Sequence, residues 1–127
     1  MRSLLDTHIF LWALEDNPKL NPIRREFLEN ADNVPVLSVV SLWELSVKMS
    51  IGKLTPKRNM TALVNEHVVG KGVELLAIKP VHLDGLTDLP LHHRDPFGRL
   101  LLSQAMAEAV PLMSNDTAFE AYGVSLL

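Results

Sequence analysis

Near its start the chain runs Arg2-Ser3-Leu4-Leu5-Asp6-Thr7-His8, an apolar run halted by a carboxylate. An amphipathic pattern of Ile9, Phe10, Trp12 and Ala13 begins at once. That succession predicts a buried strand feeding a helix, with Asp6 at the turn and Thr7 beside it. In an open α/β sheet, ligands collect outside the carboxyl ends of the parallel strands, so Asp6 falls where chemistry usually sits. Asp is also a favoured helix N-cap, because its oxygen satisfies orphan backbone N–H groups. A capping role and a chemical role both stand open at this position.

Similar junctions recur along the chain. A helix is predicted from Asn21-Pro22 to about Asn30, its charges Arg24, Arg25, Glu26 and Glu29 forming a solvated face. Val34 to Val39 reads as a second strand, followed by Ser41-Leu42-Trp43-Glu44. Here Ser41 and Glu44 fit a capping box, and Glu44 equally fits a metal ligand near a strand's carboxyl end. The helix ends at Ile51-Gly52-Lys53, and Lys48, Lys53, Lys57 and Arg58 form a loose basic group.

A helix from Met60 to about Lys71, a strand over Val73 to Ile78 and a short helix over Pro80 to Leu89 come next. His67 belongs near the apolar stripe, as a packed or rim histidine. His92 and His93 read as loop histidines, since adjacent side chains diverge. Asp95-Pro96 is a strong helix start, as N-cap and first helical residue. Gly98 is anomalous, because glycine in a helix costs about 1 kcal/mol relative to Ala. An acidic residue there would suit the helix dipole. Val110 to Ser114 is a fourth strand, Asp116 begins a helix over Ala118 to Tyr122, and Val124 to Leu127 adds an edge strand.

Composition narrows the classes. The 127 residues suit a single domain spanning 1–127, and no linker or repeat divides them. No apolar run approaches the roughly 20 residues that span a bilayer, and the N-terminus lacks a signal-peptide pattern, so a cytoplasmic protein is expected. Without cysteine there is neither a disulfide framework nor a thiolate metal site. A net charge of −3 argues against a protein that coats duplexes, so any nucleic-acid contact would be local.

Asp6, Glu44, Asp95 and Asp116 each lie at or just past a predicted strand-to-helix turn. Right-handed crossovers put such turns on one edge of a parallel sheet, where the four carboxylates would converge. Clustered carboxylates repel one another unless a cation neutralises them. Oxygen ligands without thiolates suit Mg²⁺ or Mn²⁺.

Leu4-Leu5-Asp6-Thr7-His8, Ser41-Leu42-Trp43-Glu44, His93-Arg94-Asp95-Pro96-Phe97 with Arg99-Leu100-Leu101, and Ser114-Asn115-Asp116 with Phe119 resemble the PIN-domain family, and more narrowly the VapC-type toxins of bacterial toxin–antitoxin pairs. The resemblance covers the whole chain. It implies a three-layer α/β/α domain around a central parallel sheet, and a Mg²⁺- or Mn²⁺-dependent endoribonuclease acting on RNA, tRNA among the candidates. It further implies a homodimer and a VapB-type antitoxin whose C-terminal segment covers the active-site groove. Asp6, Glu44 and Asp116 match the family's acidic positions. Asp6 and Asp116 would be principal ligands, and Glu44 a ligand or the group that orients water. Thr7 and Ser114 would be supporting residues, with Lys48, Arg94 and Arg99 candidates for RNA phosphates.

One position departs from the pattern. The family normally reads Asp-Pro-Phe-Asp-Arg where this chain has Asp95-Pro96-Phe97-Gly98-Arg99, and the second Asp is the usual third acidic ligand. The expectation is reduced activity, restored by Gly98→Asp, with Asp95 one turn earlier a partial substitute. A catalytically weakened domain that binds antitoxin or RNA is the alternative. A phosphoacceptor receiver domain fits less well, lacking a paired acid beside Asp6 and a late strand-end Lys.

Overall fold

The chain's first strand, β1 (Arg2–Leu5), is an interior strand of the four-stranded sheet. The computed structural model describes residues 1–91 and 95–127; the expectations for His92, His93 and Arg94 lie outside the described residues. β1 pairs in parallel with β2 (Val34–Ser38) on one side, Leu4 opposite Val36, and with β4 (Leu112–Met113) on the other, Leu5 opposite Met113. β3 (Glu74–Leu76) adds to the far side of β2, giving the order β3-β2-β1-β4. The chain moves outward from β1 to β3 and then returns to the opposite side of β1. The direction of winding therefore switches between β1 and β4, where open α/β sheets form their ligand crevice.

Side chains alternate across the strands and divide the core in two. Leu4, Val36 and Leu112 face a cluster completed by Leu100, Leu101, Ala105 and Phe119. These come from α6 (Pro96–Glu108), which pairs with α5 (Pro80–Asp88), and from a terminal 3₁₀ turn (Thr117–Tyr122). Leu5, Leu37 and Met113 face the other way, onto Ile9 and Phe10 of α1 (Thr7–Leu14), Leu45 of α3 (Val39–Ser50) and Leu63 of α4 (Met60–His67). Phe27 and Leu28 of α2 (Pro22–Glu29) pack against this second cluster. A parallel sheet covered on both faces is the three-layer α/β/α arrangement expected from the sequence.

Several local boundaries differ from the sequence reading. The second helix-bearing strand stops at Ser38, whose Oγ accepts from Val40 N–H at 3.0 Å and caps α3 there. Ser41 is therefore buried inside the helix, and the capping box between Ser41 and Glu44 does not form. The β-branched pair Val39-Val40 extends the apolar pattern past the strand, yet Val40 turns inward as a helical core residue. β4 is two residues long because Pro111 has no N–H to donate and Ala109 is left-handed at φ 54°. The expected edge strand at Val124 to Leu127 reduces to a single bridge between Leu112 and Leu126.

Candidate active site

The carboxyl ends of β1 and β4 are tied together by backbone and side chain. Asp6 N–H donates to Met113 O at 2.9 Å, and Ser114 Oγ donates to Asp6 Oδ2 at 2.6 Å. Asp6 occupies the N-cap position of α1, but its side chain makes no capping bond. Of the two roles open at Asp6, the carboxylate is thus committed to Ser114 and the cavity, not to the helix end. Ser114 Oγ also accepts from Asp116 N–H at 3.0 Å, which fixes the turn that presents Asp116. One Asp116 oxygen caps the 3₁₀ turn by accepting from Ala118 N–H at 3.0 Å.

The neighbouring junction contributes Glu44, which is only 4% exposed. Its Oε2 lies 2.7 Å from Lys48 Nζ one turn further along α3, an orientation that favours the pair. Thr7 Oγ1 donates to Ser41 Oγ at 3.0 Å, a buried bond that pins α1 to α3. Asp95 caps α6 through Oδ1, which accepts from Phe97 N–H at 3.1 Å. Trp43 meets Phe97 edge-on at 4.7 Å between ring centres, holding the start of α6 against α3.

Asp6, Glu44, Asp95 and Asp116 line one cavity of about 310 Å³, together with His8, Trp12, Asn115 and Phe119. Residues as far apart in sequence as 6 and 116 thus share one pocket at the switch point. Burial pushes the Asp6 carboxyl above its ordinary range; the Ser114 hydrogen bond opposes this, while the Glu44 charge adds to it.

Four contributors were not singled out in the sequence. His8 and Trp12 are one turn apart on α1, with ring centres 6.1 Å apart, and both line the cavity with Asn115. Arg24, read as part of a solvated face, instead reaches across from α2. Its guanidinium donates to Ser114 O and Leu127 O, each at 2.8 Å, and to the Asn115 side chain. Burial lowers its pKa, and the Asp6 charge raises it. The spacing of His8 and Trp12 offered a signal, whereas Arg24 offered none. Of the expected phosphate contacts, Lys48 is paired with Glu44. The Arg99 guanidinium donates to Pro90 O and Leu89 O at the end of α5.

Gly98 lies buried on the first turn of α6. A Cβ at this position would stand 3.1 Å from Phe119 Cζ and 3.2 Å from Asp95 Oδ2. Among the described residues no three His, Asp or Glu side chains are placed to hold one ion directly. The donor chemistry nevertheless fits a hard divalent cation bound partly through water: several carboxylate oxygens, one hydroxyl and no sulfur.

The PIN domain family profile matches residues 3–124, and the chain belongs to that family, whose members are generally nucleases. No curated protein matches the chain by sequence. Among solved structures, VapBC2 from Rickettsia felis, bound to a DNA fragment from its promoter, is similar with a TM-score of 0.73 at 18% identity, over 100% of this chain and 98% of that one. FitAcB from Neisseria gonorrhoeae is similar with a TM-score of 0.69 at 16% identity, over 100% and 96% of the two chains. A toxin–antitoxin complex from Klebsiella pneumoniae follows with a TM-score of 0.66 at 11% identity, over 98% and 95%. At such identities the likeness is one of fold.

Proposed function

We propose that the chain is a Mg²⁺- or Mn²⁺-dependent endoribonuclease, the toxin of a toxin–antitoxin pair. In this reading it acts as a cytoplasmic homodimer and is neutralised by a cognate VapB-type antitoxin. The observation that carries the reading is the meeting of Asp6, Glu44, Asp95 and Asp116 in one cavity at the β1–β4 switch point of a PIN domain. The folds of VapBC2, FitAcB and the Klebsiella complex support a partner of antitoxin type.

Asp6 and Asp116 would hold the cation, directly or through water, with Ser114 fixing the Asp6 carboxylate by its 2.6 Å hydrogen bond. The chemistry such an ion supplies is acidification of a bound water and neutralisation of phosphate charge. Glu44 orients the attacking water, whose oxygen bonds to phosphorus as the bond to the leaving ribose oxygen breaks. Lys48 balances Glu44 until substrate arrives. Arg24 holds the Ser114–Asn115 turn and places a fixed positive charge close to the site. Thr7 and Ser41 keep α1 and α3 in register.

Gly98 favours a second reading, a domain that binds antitoxin or RNA without turnover. Controlled expression in a bacterial host separates the two. Growth arrest by the native chain, relieved by Asp6→Asn, is the expected result. Unimpaired growth with soluble native protein would sink the toxin reading.

A further inference from the structure

We infer that Lys48 is the built-in counter-charge of Glu44, and that the site therefore takes a single divalent cation, on its Asp6 side, with Glu44 facing it through water. The inference rests on the metal-dependent reading above and deepens it. Three observations converge. Lys48 Nζ stands 2.7 Å from Glu44 Oε2, and the Glu44 side chain is only 6% exposed against 33% for Lys48. Glu44 lines the cavity with Asp6, whereas Lys48 reaches Glu44 from one turn further along α3, outside the cavity's lining. Among the described residues no three His, Asp or Glu side chains converge closely enough to hold one ion directly.

A carboxylate as buried as Glu44 keeps its charge only beside a cation, since an unpaired buried charge is strongly destabilising. Here the fold supplies that cation itself. Glu44 precedes Lys48 by four residues, the favoured order for such a pair. Lys48 also lies in the last turn of α3, where the helix dipole favours a positive charge. A divalent ion binding Glu44 directly would have to displace the ammonium or sit beside it, against the repulsion of like charges. Asp6, by contrast, is held through Oδ2 by the neutral Ser114 hydroxyl. The two acids face one cavity but are not equivalent to an ion. Lys48 acts through Glu44 and is a positioning residue: it leaves Glu44 an acceptor for water while keeping a second ion out.

The experiment is calorimetric titration of Mn²⁺ into the native chain and its Lys48→Met, Lys48→Met/Glu44→Gln and Asp6→Asn variants, with melting curves alongside. The native chain is expected to bind one ion. Lys48→Met frees the Glu44 charge and should bind Mn²⁺ at least about tenfold tighter, as a unit charge at short range allows. The double variant should return to native affinity, because the gain runs through Glu44. Lys48→Gln, which keeps a donor for Glu44 without the charge, carries the same expectation if Lys48→Met does not fold. Unchanged or weaker binding by the Lys48 variants, with loss in Asp6→Asn, would overturn the inference and leave the site reading intact. Two ions in the native chain, or an equal gain in the double variant, would also overturn it. Failure of the native chain to bind Mn²⁺, or native binding by Asp6→Asn, would remove the site reading and this inference together.

Discussion

Ser114 Oγ lies 2.6 Å from Asp6 Oδ2, joining the carboxyl ends of β4 and β1 where the winding of the sheet reverses. This bond opposes the effect of burial, which otherwise favours a protonated Asp6. Ser114→Ala should raise the Asp6 pKa further, so proton competition with a cation extends to higher pH. Mn²⁺ affinity is expected to fall about tenfold, the lower range for loss of a group that orients a ligand. The deficit should be larger at pH 6 than at pH 8, as titration calorimetry at both values would read.

Asp6 carries a stability cost of its own. Its folded pKa is raised, so in metal-free protein its contribution to stability is greatest below the ordinary carboxylate range and declines as pH rises through the folded value. Asp6→Asn should therefore stabilise the metal-free chain at pH 7 by about 0.5–2 kcal/mol, the usual gain at a strained functional position. The gain should vanish in acid. Urea unfolding across pH measures it, and a variant less stable than native at pH 7 would refute the argument.

Arg24 couples α2 to the turn after β4 through Ser114 O, Leu127 O and the Asn115 side chain. Arg24→Met keeps much of the stem and removes the donors. It should cost about 1–3 kcal/mol of stability. Cleavage should fall about tenfold or more in kcat, with a smaller change in KM, because misplaced groups near a reacting centre act mainly on rate. An unchanged kcat would assign Arg24 to folding alone.

A buried polar chain crosses the other helical layer. Lys79 N–H donates to His82 Nδ1 at 3.0 Å, leaving the proton on Nε2, which lies 3.1 Å from Glu108 Oε2. Gln104 links His82 Nδ1 to Ser38 Oγ, the cap of α3. The bond from His82 and the charge of Lys79 hold the Glu108 carboxyl below its ordinary range. A depressed carboxyl contributes stability above the unfolded pKa and loses it as pH falls through the folded value. Glu108→Gln should cost about 1 kcal/mol at pH 7, the typical scale of such a bond. Relative to native, that cost should disappear at pH values below the carboxylate range.

The strand-to-helix junctions were legible because they are local: Asp6 follows Leu4-Leu5 directly, and Asp95 precedes Pro96. Their meeting followed from the handedness of parallel crossovers. The start of α3 was misplaced because Val39 and Val40 suit a strand as well as a buried helix. Arg24 was illegible because its partners Ser114 and Leu127 stand 90 and 103 residues away. No periodicity carries such a contact. The oddity at Gly98 was visible, yet its relation to Asp95 and Phe119 needed the third dimension, since Phe119 arrives from the end of the chain.

The central claim is that Asp6 and its neighbouring acids form a cation-dependent nuclease site. Cleavage of a labelled RNA by the purified native chain, with Mn²⁺ or with a chelator, tests it beside Asp6→Asn. Cleavage that needs Mn²⁺ and falls at least about a hundredfold in Asp6→Asn is predicted, as for loss of a group that acts on the transition state. Equal cleavage by the two proteins, or cleavage indifferent to the chelator, would contradict it.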